Sequence, residues 1–288
     1  MANDEKTEVE DLKPKKNANK RKRKEFAIYG NYRNYYGYRI GQNLQEDPRL
    51  SVLRKEWFED KECLDIGCNQ GLITISIAKK FCCRRILGID IDGGLIESAC
   101  WNLRRTVQME KSSIQFSNSR QSEHSEGSNG IENGVSASLN GGTMNHPNSS
   151  LSSEEKSLSD IISFRKENII KRCHGHSEEY DTILCLSVTK WIHLNWGDEG
   201  LITLFSEIWR LLRPGGILVL EPQPWKSYQS NRLVSEEALF NYHRVLFRPS
   251  RFQEILLDKI GFRTVEDVTV SLPGCTTGFD RPILAFCK

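Results

Sequence analysis

The segment Glu62–Gly71 constrains the fold of this chain more than any other. It reads E-C-L-D-I-G-C-N-Q-G, an apolar run that meets a glycine-containing turn, and a helical pattern follows. That order describes a strand whose carboxyl end opens into a ligand-binding loop. Gly67 and Gly71 let the backbone turn sharply and approach a ligand closely, and Asn69 tolerates a left-handed conformation. Leu72, Ile73, Ile77, Ala78 and Phe81 then recur at helical spacing. The apolar run Ile86–Ile89 ends in Asp90, and Leu95, Ile96, Ala99 and Leu103 give a second helix. Strand, helix, strand, helix predicts a parallel sheet with right-handed crossovers.

Asp90 lies about 20 residues beyond the glycines, where such sites place a carboxylate to accept hydrogen bonds from ribose hydroxyls. Asp65 stands beside the loop, where it faces the cationic end of a ligand. Two carboxylates flanking the turn suit an adenosine with a positive tail better than a pyrophosphate, which prefers bare amides. The pair therefore favours S-adenosylmethionine over NAD. An ordinary strand-to-helix turn with a capping Asp is the competing interpretation.

Further along, Tyr180–Leu186 reads as a buried strand. Asp198 is expected to cap a helix bearing Leu201, Leu204, Phe205, Ile208 and Leu211, which Pro214-Gly215-Gly216 stops before a strand at Ile217–Leu220. Phe252, Ile255, Leu256 and Ile260 form another helical face closed by Gly261, and strand candidates near Thr264–Val270 and Pro282–Phe286 end the chain. This is the tail of a seven-stranded methyltransferase sheet.

The 288 residues with 38% hydrophobic content suffice for one substantial core. The net charge of +2 conceals a run from Lys13 to Lys24 that contains eight basic residues and no acid. Residues 1–25 are thus expected to be a disordered basic tail, and the run reads as a nuclear import signal or a nucleic-acid tether. From about 110 to 160, Ser, Asn, Gly, Glu and His dominate, which predicts a disordered polar insertion within a methyltransferase domain spanning 26–288. The charged first residues have no apolar core, so no secretory signal is read there. The cysteines read as reduced thiols: Cys63, Cys185 and Cys287 fall in apolar runs, and Cys82, Cys83 and Cys173 lack zinc spacing, so no metal is expected. No window approaches 18 uninterrupted apolar residues, and no membrane span is predicted.

Five segments together resemble the bicoid-interacting protein 3 methyltransferases. They are Tyr29–Tyr32, Tyr35–Arg39, Leu64–Asn69, the tryptophan-rich block Leu186–Gly200, and Leu220–Trp225. The similarity runs from Phe26 to about Lys288, interrupted by the polar insertion, and the tryptophan-rich block is its most specific part. The resemblance implies an α/β, Rossmann-like class I S-adenosylmethionine-dependent methyltransferase with a seven-stranded, mostly parallel sheet and helices on both faces. It implies methyl transfer to the terminal phosphate of an RNA 5′ end, and together with the basic run it points to the nucleus; a monomer with ribonucleoprotein partners is expected. By position in the matching motifs, Tyr36, Arg49, Gly67, Cys68, Asn69, Asp90, Ile91 and Leu186 would line the cofactor, and Asn168 and Ile169 would contact adenine. Asp65 and Gly71 join them on the loop reading above.

A phosphate oxygen is already anionic near neutral pH, so its methylation needs no strong base. The site must instead hold that oxygen in line with the methyl group and offset the charge. Arg39, Lys190 and His193 are suitable donors, and Tyr35 and Tyr38 can add hydroxyl hydrogen bonds. Packing is the competing role for His193 between Ile192 and Leu194, a solvated surface position for Lys190, and a hydrophobic lid for the tyrosines. Two other functions fit the same residues: an RNA-binding protein that retains the capped RNA, and a methyltransferase for a different acceptor.

Overall fold

The computed structural model describes residues 27–32, 46–122, 157–171, 177–269 and 281–288. Tyr35, Tyr36, Tyr38, Arg39, the basic tail and residues 123–156 lie outside the described residues. The elements in chain order are β1 (Glu62–Ile66), α1 (Leu72–Phe81), β2 (Arg85–Asp90), α2 (Gly93–Ser122), α3 (Leu158–Ile161), β3 (Ile162–Lys166) and β4 (Tyr180–Leu186). There follow α4 (Thr189–Leu211), β5 (Leu212–Glu221), α5 (Trp225–Asn231), α6 (Glu236–Arg244), α7 (Phe252–Ile255, continued as a π-helical turn over Leu256–Ile260), β6 (Thr264–Asp267) and β7 (Leu284–Cys287).

The strands form one sheet in the order β3-β2-β1-β4-β5-β7-β6. Only β7 runs antiparallel, against both β5 and β6, and the other pairings are parallel. This is the class I methyltransferase arrangement that the alternating pattern predicts. Alternate residues of each strand enter opposite cores, as the two-residue period requires. Cys63, Leu184, Leu186 and Val219 pack with Ile73, Ile77, Phe81 and Leu103 of α1 and α2. Leu64, Ile66, Ile183, Cys185 and Leu218 pack on the other face with Leu201, Leu204, Phe205 and Ile208 of α4 and Phe252 of α7. Strand order reverses direction between β1 and β4, so the crevice for a ligand opens at their carboxyl ends.

The structure refines three local expectations. The helical segment carrying Leu201–Leu211 does start just after Gly197, whose φ 64° and ψ −165° are non-helical and open to glycine, but Asp198 gives its carboxylate to His193 and the Leu246 amide, and an additional helical segment from Thr189 precedes this kink within α4. The apolar side chains of Trp191, Ile192 and Leu194 are buried, which gives the preceding turns their own reason to be helical. Pro214-Gly215-Gly216 follows the end of α4 at Leu211 and turns the chain, with Gly215 at φ 76°, into continuous pairing from Ile217 as expected, but the three residues lie within the span of β5, whose register against β4 jumps from Tyr180↔Leu212 to Thr182↔Ile217. Finally, α2 continues to Ser122, past the expected boundary near Glu110, since Met109 to Ser122 contains neither Gly nor Pro.

Candidate active site

A cleft with about 870 Å³ of empty space sits at the carboxyl ends of β1, β2 and β4. Arg49, Asp65, Gly67, Asn69, Asp90, Ile91, Asn168, Ile169 and Leu186 all line it, so these expected residues meet in one place from distant parts of the sequence. Cys68 and Gly71 do not line it. The Cys68 side chain is buried behind the loop, and Gly71 takes φ 72° because a Cβ there would meet Phe164 Cζ at 2.5 Å.

Asp65 is 2% exposed and accepts a hydrogen bond from Thr74 Oγ1 of α1 at 2.6 Å. Burial lifts its carboxyl from 3.8 to about 6, against the opposing pull of the Thr74 bond and of the Arg49 charge. Asp90 accepts from the Asn69 amide at 3.0 Å and the Asp92 amide at 2.9 Å, which fixes the loop to the end of β2. Burial raises its carboxyl as well, with those amide bonds opposing. Arg49 is clamped by Asp47, with Nε to Oδ1 at 3.0 Å and Nη2 to Oδ2 at 2.6 Å, and reaches Glu221 Oε2 at 3.2 Å.

Residues 27–32 form a strap over the cleft. Gly30, at φ 72°, lies so close to Trp191 that a Cβ would stand 2.1 Å from the indole Nε1. Tyr29 stacks on Trp196 at 5.7 Å, and Asn69 Nδ2 donates to the Tyr32 carbonyl at 3.3 Å. Asn31 Nδ2 donates to Asp92 Oδ2 at 2.6 Å, while Asn31 Oδ1 is buried with no hydrogen-bond partner. A buried acceptor lacking a donor costs about 1–3 kcal/mol, which a ligand hydroxyl or amine in the cleft would recover. An acidic cleft with an orphan acceptor beside Asp90 and Asp92 fits an adenosine carrying a cationic tail.

Lys190 and His193 are neighbours on α4 with different surroundings. Lys190 is 5% exposed; its Nζ donates to Ser227 Oγ at 2.9 Å and Asn231 Oδ1 at 2.7 Å, and stands 4.1 Å from the centre of the Trp191 ring. Burial first, and then the charge of Arg281, lower its pKa from 10.5 to about 7. Arg281 Nη1 meets Ser187 Oγ at 3.0 Å, and Ser187 lines the cleft. Gln223 ties this region together, since its Oε1 accepts from the Lys190 amide at 3.1 Å and its Nε2 donates to the Ser187 carbonyl. His193, by contrast, is 0% exposed, with Nε2 at 2.7 Å from Asp198 Oδ1 and Nδ1 at 3.3 Å from the Tyr228 hydroxyl. Burial lowers its pKa, partly offset by Asp198. Both ring nitrogens are engaged away from the cleft, so the packing alternative describes His193 and the donor role does not.

Sequence reasoning missed Asn31, Tyr32, Ser187, Glu221, Asn231 and Arg281 as site residues. Asn31, Tyr32, Ser187 and Glu221 fall in the quoted motifs, but nothing in a linear pattern shows that residue 281 folds back on residue 187. Among the described residues no cluster of three metal-capable side chains is present. No described helix is long and apolar enough to cross a membrane.

The model of the bicoid-interacting protein 3 family matches residues 180–288. A probable RNA methyltransferase of Arabidopsis thaliana is 60% identical over 269 residues, covering 93% of this chain and 83% of the relative. The chain belongs to the bicoid-interacting protein 3 family. Within this family, a U6 snRNA methylphosphate capping enzyme of Drosophila melanogaster is 37% identical over 90% of this chain and 74% of its own. A mouse 7SK snRNA methylphosphate capping enzyme is 40% identical over 90% of this chain, which spans only 40% of that relative. The bicoid-interacting protein 3 family match begins at β4 and so includes Ser187, Lys190, Glu221 and Arg281.

Proposed function

We propose that this chain transfers a methyl group from S-adenosylmethionine to a terminal phosphate oxygen at an RNA 5′ end. The sulfonium group supplies an electrophilic methyl. What carries the acceptor assignment is that Arg281, which meets Ser187 on the cleft wall and stands 3.7 Å from Glu221, and Lys190, whose amide is tied to the same wall through Gln223, bring two cations beside the cleft. The Arg281 charge adds to burial in lowering the Lys190 pKa, and an anion bound there favours the charged form of Lys190. Lys190 is held only by neutral oxygens and an indole face, so it is oriented without being neutralised. Asp65 and Asp90 line the cleft and supply the negative charge that suits a cationic cofactor tail. Ser187 and Trp191 line it as well, and Ser187 Oγ is the contact through which Arg281 reaches the wall. His193 acts as a positioning residue, bracing α4 against α5 through Tyr228. The functions named for the relatives, capping of small nuclear RNAs among them, support the same acceptor.

On this proposal the Lys13–Lys24 run serves as a nuclear import signal and RNA tether, and the protein acts as a monomer with ribonucleoprotein partners. The deciding experiment supplies methyl-labelled cofactor and one RNA sequence bearing triphosphate, monophosphate or hydroxyl 5′ ends, followed by mass analysis of the 5′ nucleotide. Methylation confined to phosphorylated ends supports the assignment. Equal labelling of hydroxyl-ended RNA, or none of any, refutes it; binding of phosphorylated RNA without transfer supports the retention role instead.

A further inference from the structure

We propose that the outer face of α5 and α6 is a track for single-stranded RNA, holding the nucleotides that follow the reacting 5′ end. It rests on the phosphate-methylating function proposed above. Two arginines on this face lie over aromatic rings, Arg232 on Tyr242 at 5.8 Å and Arg248 on Trp225 at 4.9 Å; a third, Arg244, lies over Phe240 at 4.8 Å on the other side of α6, since Phe240 and Tyr242 are two residues apart in the helix. Trp225 and Tyr242 are themselves stacked at 4.9 Å and 12°, so Arg232, Tyr242, Trp225 and Arg248 form one continuous pile. Phe240 is 57% exposed, and none of the three arginines pairs with a carboxylate among the described residues. Glu236 and Glu237 are the acids of this face, and they sit in the first turn of α6, three and four residues before Phe240.

Trp225 is stacked on Tyr228 as well as on Tyr242, so the guanidinium groups at the ends of the pile, held in place by the rings beneath them, are what a base or phosphate of single-stranded nucleic acid meets. An acidic peptide needs charge alone and gains nothing from the pile. The same short helix reaches the acceptor end of the cleft, since Ser227 and Asn231 of α5 hold Lys190 Nζ and Asn231 Nδ2 donates to the Tyr32 hydroxyl at 3.3 Å. An RNA whose 5′ phosphate meets Lys190 therefore has its next nucleotides beside this face.

The test combines Arg232→Gln with Arg248→Gln, which removes the charge at both ends of the pile, with thermal midpoint and S-adenosylhomocysteine affinity as controls of folding. For a 5′-phosphorylated RNA of about a dozen nucleotides, KM should rise about 10-fold at unchanged kcat, and the salt slope of binding should become shallower by about 1.4. For a 5′-phosphorylated dinucleotide, kcat/KM should stay within about twofold, since that ligand ends before the track. Arg232→Lys with Arg248→Lys should restore the slope but not the full affinity. Equal loss on both acceptors, or no loss on either, overturns the track. So does a glutamate oligopeptide that competes more strongly than unphosphorylated RNA of equal length. If the wild type methylates neither RNA, the methyltransferase assignment falls, while anisotropy of the longer RNA on wild type and variant still decides the track.

Discussion

Replacing Asp65 by Asn should stabilise the ligand-free protein while weakening cofactor binding. The side chain is 2% exposed, and its carboxyl is lifted from 3.8 to about 6. Because the folded-state pKa exceeds the unfolded value, the native protein binds the extra proton between pH 3.8 and 6, and stability falls as pH rises through that window. Above it the ionised carboxylate costs about 3 kcal/mol, from about 1.4 kcal/mol per pH unit over about two units. Asn removes that cost but forms a weaker bond with Thr74 Oγ1, so a net gain of about 1–2 kcal/mol is expected at pH 7.5, or about 2–8 °C in Tm. At pH 4.5, where Asp65 is protonated in the folded protein, the gain should vanish. Calorimetry of both proteins without cofactor at the two pH values measures this. In parallel, affinity of the wild type for S-adenosylmethionine should decline as pH drops below about 6, and that limb should be absent in the variant. A variant that is less stable than wild type by the same amount at both pH values would show that Asp65 is not held against its desolvation, and the electrostatic account of the cleft would fail.

Lys190→Gln should lower methyl transfer at least about 100-fold with S-adenosylhomocysteine affinity within about threefold, and matched loss of affinity by calorimetry would contradict the anion-site role. Because Lys190 is lowered to about 7, RNA affinity of the free protein should fall as pH rises above 7, and Lys190→Arg should abolish that fall. His193→Ala leaves Asp198 and the Tyr228 hydroxyl without their ring partner and opens a cavity, at a cost of about 3 kcal/mol in urea unfolding, whereas a catalytic histidine would lose rate without losing stability. Gly30→Ala faces a left-handed cost of about 1–2 kcal/mol and a contact 2.1 Å from Trp191, so the strap should lift and cofactor affinity drop about 10-fold in a folded protein, read by calorimetry. Deleting residues 1–24 should make the salt slope of RNA binding shallower, and an unchanged slope would remove the tether role.

Local chemistry and periodicity in the sequence determined where β1, α1, β2 and β4 run and that Asp65, Gly67, Asn69 and Asp90 belong to one loop system. Those features are written in adjacent residues: glycines at positive φ, apolar runs of fixed period, and acids at strand ends. The sequence also held the family motifs, because they are contiguous blocks. Tertiary structure alone separated Lys190 from His193, since residues three apart on one helix differ only in what other elements bring against them: Ser227, Asn231 and Arg281 in one case, Asp198 and Tyr228 in the other. It likewise decided the strap, the orphan acceptor on Asn31 and the helical segment from Thr189 that precedes the break at Gly197. Contacts such as Arg281 with Ser187 span 94 residues, and the antiparallel return of β7 that places them side by side leaves no periodic mark on the chain.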